Sequence, residues 1–226
     1  MSRKFVAASS QYLSGTPGLT ALPMTLACWF QIAASGTHYV LGGVFNSTTT
    51  YMILNYDSAS SGAVGAQGIM SSSGGELVNN GTTFSTLNTW AHCAGSFSLS
   101  GSNLTVNNYF NGAHKASGTA ATGAAVAFNN AQIGAFATPS LYHNGLIAEF
   151  GCWNVVLSDA EVAALGAGAL PSTVRPNALV GYWPLNGLVS PEPDLSGQAH
   201  NMTLHNTPLL AAGPPVALFT PRIRYL

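Results

Sequence analysis

The sequence predicts an all-β sandwich with one short helix, and three observations predict it. Strand-length apolar runs bounded by Gly, Pro, Asn and Ser recur along the whole of its 226 residues. The stretch from Asn144 to Gly168 joins a nearly unbroken apolar run to a clear helix signal. The dipeptide Asn111-Gly112 marks a hairpin turn, because both residues tolerate positive φ.

Taken in order, Phe5 to Ala8 and Gln11 to Leu13 are expected as short strands before a Gly/Pro turn at Gly15 to Gly18. Met24 to Ile32, MTLACWFQI, is the strongest early strand, and Tyr39 to Phe45 and Tyr51 to Tyr56 follow as a pair. Ser58 to Gly81 is rich in Ser and Gly and reads as weakly specified strands with long loops. In Thr86 to Ser98, Trp90, His92, Ala94 and Ser96 alternate with Ala91, Cys93, Gly95 and Phe97, the period of a half-buried strand. Leu104 to Phe110 and the run NNAQIGAF supply two more strands, and Gly145 to Trp153 another, with Glu149 as its single acid. Ser158 and Glu161 then spell a capping box, Val162 to Leu165 form the helix interior, and Gly166 is the natural stop. Pro171 to Pro176 is a connection, ALVGYWPLNG a strand, and DLSGQAHNMTLHN a turn with a short strand. From Pro208 onward the prolines bar a central strand, so the tail reads as an extended C-terminal arm.

Composition narrows the function classes. Charged residues are 6 % of the chain, against about 25 % in ordinary soluble domains. A net charge of −1 leaves no nucleic-acid footprint and no attraction to acidic lipids. A coat of Ser, Thr, Asn and Gly has little self-repulsion and favours association. Cys28, Cys93 and Cys152 each sit in an apolar run with no CxxC spacing, so they read as small hydrophobes. MSRKFVAASS lacks the continuous apolar core of a signal peptide, and no apolar run reaches membrane-spanning length.

The order TLACWF, TWAHCAGSF, NYFNGAHKASG, AQIGAF and NGLIAEFGCWNVVLSDAEVAAL resembles the laminin-G-like, concanavalin-A-like jelly rolls. The resemblance covers roughly residues 5 to 170 and implies a jelly-roll β-sandwich. LVGYWPLNG with DLSGQAHNMTL also resembles the family, in which it usually precedes the first strand; here it follows the helix. A permuted pair of closing strands would then complete one domain over 1–207, with 169–207 closing it and 208–226 as the arm.

The family includes sugar binders, calcium-dependent modules, hydrolases and adhesive spacers. Hydrolysis needs two converging carboxylates, and nothing like the glucanases' E-x-D-x-E strand occurs among the seven acids, so no enzyme is expected. A rim calcium would use Asp194, or else Asp57, although each is equally well a turn residue. An aromatic platform for sugar would use Tyr142, His143 and Asn144, or Tyr51 and Tyr56 with Asn55; ordinary strand packing is the competing account. The arm carries Pro214, Pro215, Phe219, Arg222, Arg224 and Tyr225 and is the expected assembly element. Charge-poor jelly rolls with such a tail resemble those of tailed-phage structural proteins. The expectation is therefore a non-enzymatic virion surface or capsid decoration subunit, made in the host cytoplasm and contacting its own copies or a shell protein. A glycan-binding lectin module, with or without calcium, is the alternative.

Overall fold

A computed structural model describes residues 1–35, 38–57, 62–70, 77–121 and 127–216, with the side chains of 77–81 excepted. The strands are β1 (Ser2–Phe5), β2 (Tyr12–Gly15), β3 (Met24–Ile32), β4 (Tyr39–Ser47), β5 (Thr50–Asp57), β6 (Ala63–Ile69), β7 (Leu77–Thr83) and β8 (Ala91–Ser100). They continue with β9 (Asn103–Phe110), β10 (Ala113–Ala121), β11 (Asn130–Ile133) and β12 (Gly145–Trp153). The helix α1 (Asp159–Gly166) comes next, and β13 (Leu179–Trp183), β14 (Thr203–His205) and β15 (Leu209–Ala211) end the described chain.

Two antiparallel sheets face each other. One runs β10-β9-β8-β3-β12-β1-β15, with β13 also on β12, and the other runs β14-β2-β11-β4-β5-β6-β7. Alternation decides which side chains go between them. Phe5, Leu26, Phe30, Ile147 and Phe150 from the first sheet meet Leu13, Leu41, Leu54, Tyr56 and Ile133 from the second. All three cysteines are free and buried. β3 and β12 have the bounds their apolar runs predict, and they are neighbours at the centre of the eight-stranded sheet.

The outer face of that sheet is covered by α1, whose Val162 and Leu165 pack on Tyr109, Trp153 and Tyr182. The capping box forms as expected: Ser158 N–H donates to Glu161 Oε2 at 2.7 Å, and Glu161 N–H to Ser158 Oγ at 3.4 Å. The helix runs through Gly166, and the left-handed residue that ends the turn is Gly168, φ +100°. At the hairpin Asn111 has φ +49° and Gly112 φ +76°. A Cβ on Gly112 would stand 3.0 Å from the Cα of Ala163, so glycine serves both the turn and the helix packing.

Two expectations change, and one element is added. Strand β1 begins at Ser2 and a 3₁₀ turn occupies Ala7–Ser9, because pairing Arg3↔Ile147 and Arg3↔Leu210 holds residues with no apolar signal. The Ala/Gly/Thr-rich segment after the hairpin forms β10, held in register with β9. The first part of the arm is an edge strand, β15 on β1, so the sandwich includes residues that the sequence assigns to the tail. Proline is tolerated there because Pro208 precedes the edge strand and Pro214 and Pro215 follow it.

Candidate functional site

The outer face of the seven-stranded sheet carries a half-buried cluster of rings. Leu13 points into the core, so its neighbours Tyr12 and Ser14 point out. Strand β14 pairs with β2 as Thr203↔Ser14 and His205↔Tyr12. The Tyr12 and His205 rings therefore stack, with centroids 4.2 Å apart and planes 6° apart. Tyr142, from the β11–β12 connection, lies against Tyr12 with centroids 6.1 Å apart and an interplanar angle of 47°. All three residues are half-buried. Ser14 Oγ and His205 Nε2 share a hydrogen bond of 2.8 Å, and Tyr142 donates its hydroxyl to the Pro139 carbonyl at 2.8 Å. Burial, with the nearby Tyr142 hydroxyl, raises the Tyr12 phenol above its ordinary pKa. A cluster of this kind offers ring faces to C–H groups and hydroxyls to a polar rim.

Further across the same face lies a row of carboxamides. Asn55 Nδ2 donates to Gln67 Oε1 at 3.0 Å and approaches His38 Nε2 at 3.2 Å, and Gln67 Nε2 donates to the Tyr51 hydroxyl at 3.1 Å. Gln132 Nε2 donates to the Ala137 carbonyl at 2.9 Å. Two acceptors in this row, Asn55 Oδ1 and Gln132 Oε1, are buried and find no donor among the described residues, on residues only 1 % and 3 % exposed. Phe136 crosses edge-on over Tyr51 and Phe45, with centroids 5.0 and 5.6 Å away.

The expected site residues separate accordingly. Tyr142 stands at the surface cluster, with Asn144 half-buried two residues on. His143 points inward: it is fully buried, donates from Nε2 to the Gln31 carbonyl at 3.0 Å, and packs edge-on against Phe5 and Tyr39. Burial holds its pKa down at about 4, so the ring is neutral and is no platform. Tyr51 and Tyr56 are an odd number of residues apart on one strand and so take opposite faces. Tyr51 lies on the outer face under Phe136, whereas Tyr56 is in the core stacked on Tyr39, 5.9 Å away. The pairing of these two tyrosines as one platform is thereby corrected.

Asp194 is engaged by the protein itself. Its Oδ1 accepts from Tyr182 N–H and Ser196 N–H at 2.8 and 2.9 Å, and its Oδ2 from Ser196 Oγ–H and His200 N–H at 2.8 and 2.9 Å. Four donors from the protein organise the closing loop around it. Asp57 ends β5 beside 58–61, which lie outside the described residues. Among the described residues no group of three or more His, Cys, Asp or Glu is placed to hold a metal. Of the assembly arm, Pro214 and Pro215 are described, while Phe219, Arg222, Arg224 and Tyr225 lie outside the described residues.

Tyr12, His205, Gln67 and Gln132 are absent from the residues that sequence reasoning selects. A signal existed in the alternations Tyr12-x-Ser14 and Thr203-x-His205, but the strands are too short to stand out.

Residues 7–163 match the family described as the concanavalin A-like lectin/glucanases superfamily, and the chain belongs to it. No curated protein matches the sequence. Among solved structures, the chain resembles a Bacteroides ovatus protein whose name gives carbohydrate binding as a provisional role, at TM-score 0.64 and 17% identity, over 90% of this chain. The chain spans 57% of that protein's length. It is also similar to the CBM40 of a Ruminococcus gnavus IT-sialidase bound to α2,3 sialyllactose, at TM-score 0.54 and 13% identity, over 74% of this chain and 98% of that one. A third likeness is domain 4 of a GH43 extracellular arabinanase from Geobacillus stearothermophilus in complex with arabinotriose, at TM-score 0.51 and 19% identity, over 66% of this chain and 68% of that one. At these identities the likeness is one of fold.

Proposed function

We propose that this chain is a carbohydrate-binding module of its family, acting by binding and not by catalysis. The observation that carries the reading is the half-buried cluster of Tyr12, His205 and Tyr142, drawn from three separate elements onto one face. A sugar ring lays its C–H face on such a surface while its hydroxyls meet Ser14 and the phenols. Binding modules with this fold among the similar structures are consistent with that use. Titration of a glycan panel against the full chain and against Tyr12→Ala and Tyr142→Ala tests it. Each substitution should weaken binding about tenfold, the worth of one aromatic contact, with an unchanged melting temperature and no sensitivity to a chelator. Glycan binding that neither substitution alters would sink the platform.

Membership of a larger assembly, such as a virion surface, is a second proposal, favoured by one observation. A groove of about 390 Å³ beside edge strand β15 is lined by Leu188, Val189 and Leu209, which are 84%, 72% and 67% exposed. Sedimentation of the full chain against Leu188→Ser/Leu209→Ser reads it: a larger species that the substitutions dissociate supports assembly, and a monomer at all concentrations refutes it.

A further inference from the structure

We infer that the platform selects uncharged glycans and discriminates against sialylated or uronic-acid ligands. The inference rests on the carbohydrate-binding reading and specifies its ligand class. The seven strands of the sheet that bears the platform contain one charged residue, Asp57, the last residue of β5, which lies three strands from β2. No lysine or arginine occurs in any of them.

The four lysines and arginines among the described residues are engaged or placed elsewhere. Arg3 is buried against Glu192 at 2.7 Å, and Arg175 holds Glu161 at 2.6 Å. Lys4 and Lys115 belong to β1 and β10 of the opposite sheet. Arg222 and Arg224 lie outside the described residues.

A carboxylate brought onto the platform sheds water and finds no lysine or arginine among the described residues of that face to replace it, a cost that an uncharged hydroxyl does not meet. Further across the same face, Asn55 Oδ1 and Gln132 Oε1 find no donor among the described residues, and these negative dipole ends offer nothing to offset an anion's lost hydration.

The test is a calorimetric titration of the full chain with matched pairs, lactose against 3′-sialyllactose and arabinotriose against a triuronide, at low and at high salt. The expected result is that a neutral member binds, its acidic counterpart binds at least about tenfold more weakly, and salt changes the neutral affinity less than about twofold. A gain-of-function variant completes it. Thr203 is exposed on β14, paired opposite Ser14. Thr203→Lys should raise affinity for the sialylated member about tenfold and leave lactose unchanged. Tighter binding of acidic glycans by the unaltered chain, weakened by salt, overturns the inference and leaves the module reading intact. Binding of neither class overturns both.

Discussion

Tyr182 donates its hydroxyl hydrogen to the carboxylate of Glu149 where β12 bulges away from β3. Glu149 has φ +53° at that bulge, and its backbone N–H reaches Pro184 at 3.4 Å instead of continuing the ladder. Burial raises its pKa, and the Tyr182 hydrogen bond opposes this only in part. A carboxyl raised in the folded state contributes stability below its unfolded pKa and loses it as pH rises through the folded value. Glu149→Gln keeps an acceptor for Tyr182 and removes the charge. The variant should melt above the parent at pH 7, with the difference vanishing at pH 4. A variant that melts lower at both values would show the charge itself to be stabilising.

Two buried histidines give the opposite slope. Burial holds His143 at about 4 and His92 at about 3, against 6.5 in the open chain. Between pH 6.5 and about 4 the unfolded chain binds protons that the native chain refuses, so stability is lost as pH falls through that window. The slope is about 1.4 kcal/mol per pH unit for each histidine. Urea unfolding at a series of pH values reads it, and His143→Gln should reduce the slope by about one proton. A stability independent of pH across the window would mean that these rings are protonated in the fold.

Strand β1 is tied to the closing segment by charge. Arg3 Nε donates to Glu192 Oε2 at 2.8 Å and its Nη1 to the Pro208 carbonyl at 2.8 Å, while Glu192 Oε1 accepts from Gly187 N–H at 2.9 Å. Both residues lie outside the family match at 7–163, yet they lock β1 to the closing segments. Glu192→Ala leaves a buried guanidinium without its partner and should cost about 3–5 kcal/mol. The double change Arg3→Met/Glu192→Met should recover most of that, since apolar packing often replaces a buried pair without loss. Chemical denaturation of the three proteins decides it. A single change that costs less than about 1 kcal/mol would place water at the pair.

What the sequence discloses is local. Strands β3 and β12 are legible because each is one continuous apolar run, and α1 because Ser158 and Glu161 satisfy each other three residues apart. Strands β1, β10 and β15 exist through their partners: Arg3 and Lys4 carry no strand propensity, and Leu209 to Ala211 lie among prolines. The site follows the same division. Tyr142 is visible as an aromatic in a polar loop, but its partners Tyr12 and His205 lie far apart in the sequence and meet only through the β2–β14 ladder. Parity alone would have separated Tyr51 from Tyr56.

Asp194 tests whether an acidic loop residue is a ligand or a scaffold. Its two oxygens accept four hydrogen bonds, three of them from the backbone N–H groups of Tyr182, Ser196 and His200. Tyr182 is also the donor to Glu149, so the loop and the β12 bulge share one strand. Asp194→Ala strands buried N–H groups at about 1–3 kcal/mol each, so a loss of several kcal/mol is expected. Asp194→Asn keeps one good acceptor and should lose about half as much. A calcium ligand would behave otherwise: the loss would appear only with calcium present and vanish in a chelator. Melting curves of the parent and both variants, each with millimolar calcium and with chelator, separate the two. Equal losses in both conditions make Asp194 the scaffold of the closing loop, because a carboxylate already filled by four protein donors has no lone pair to give a metal.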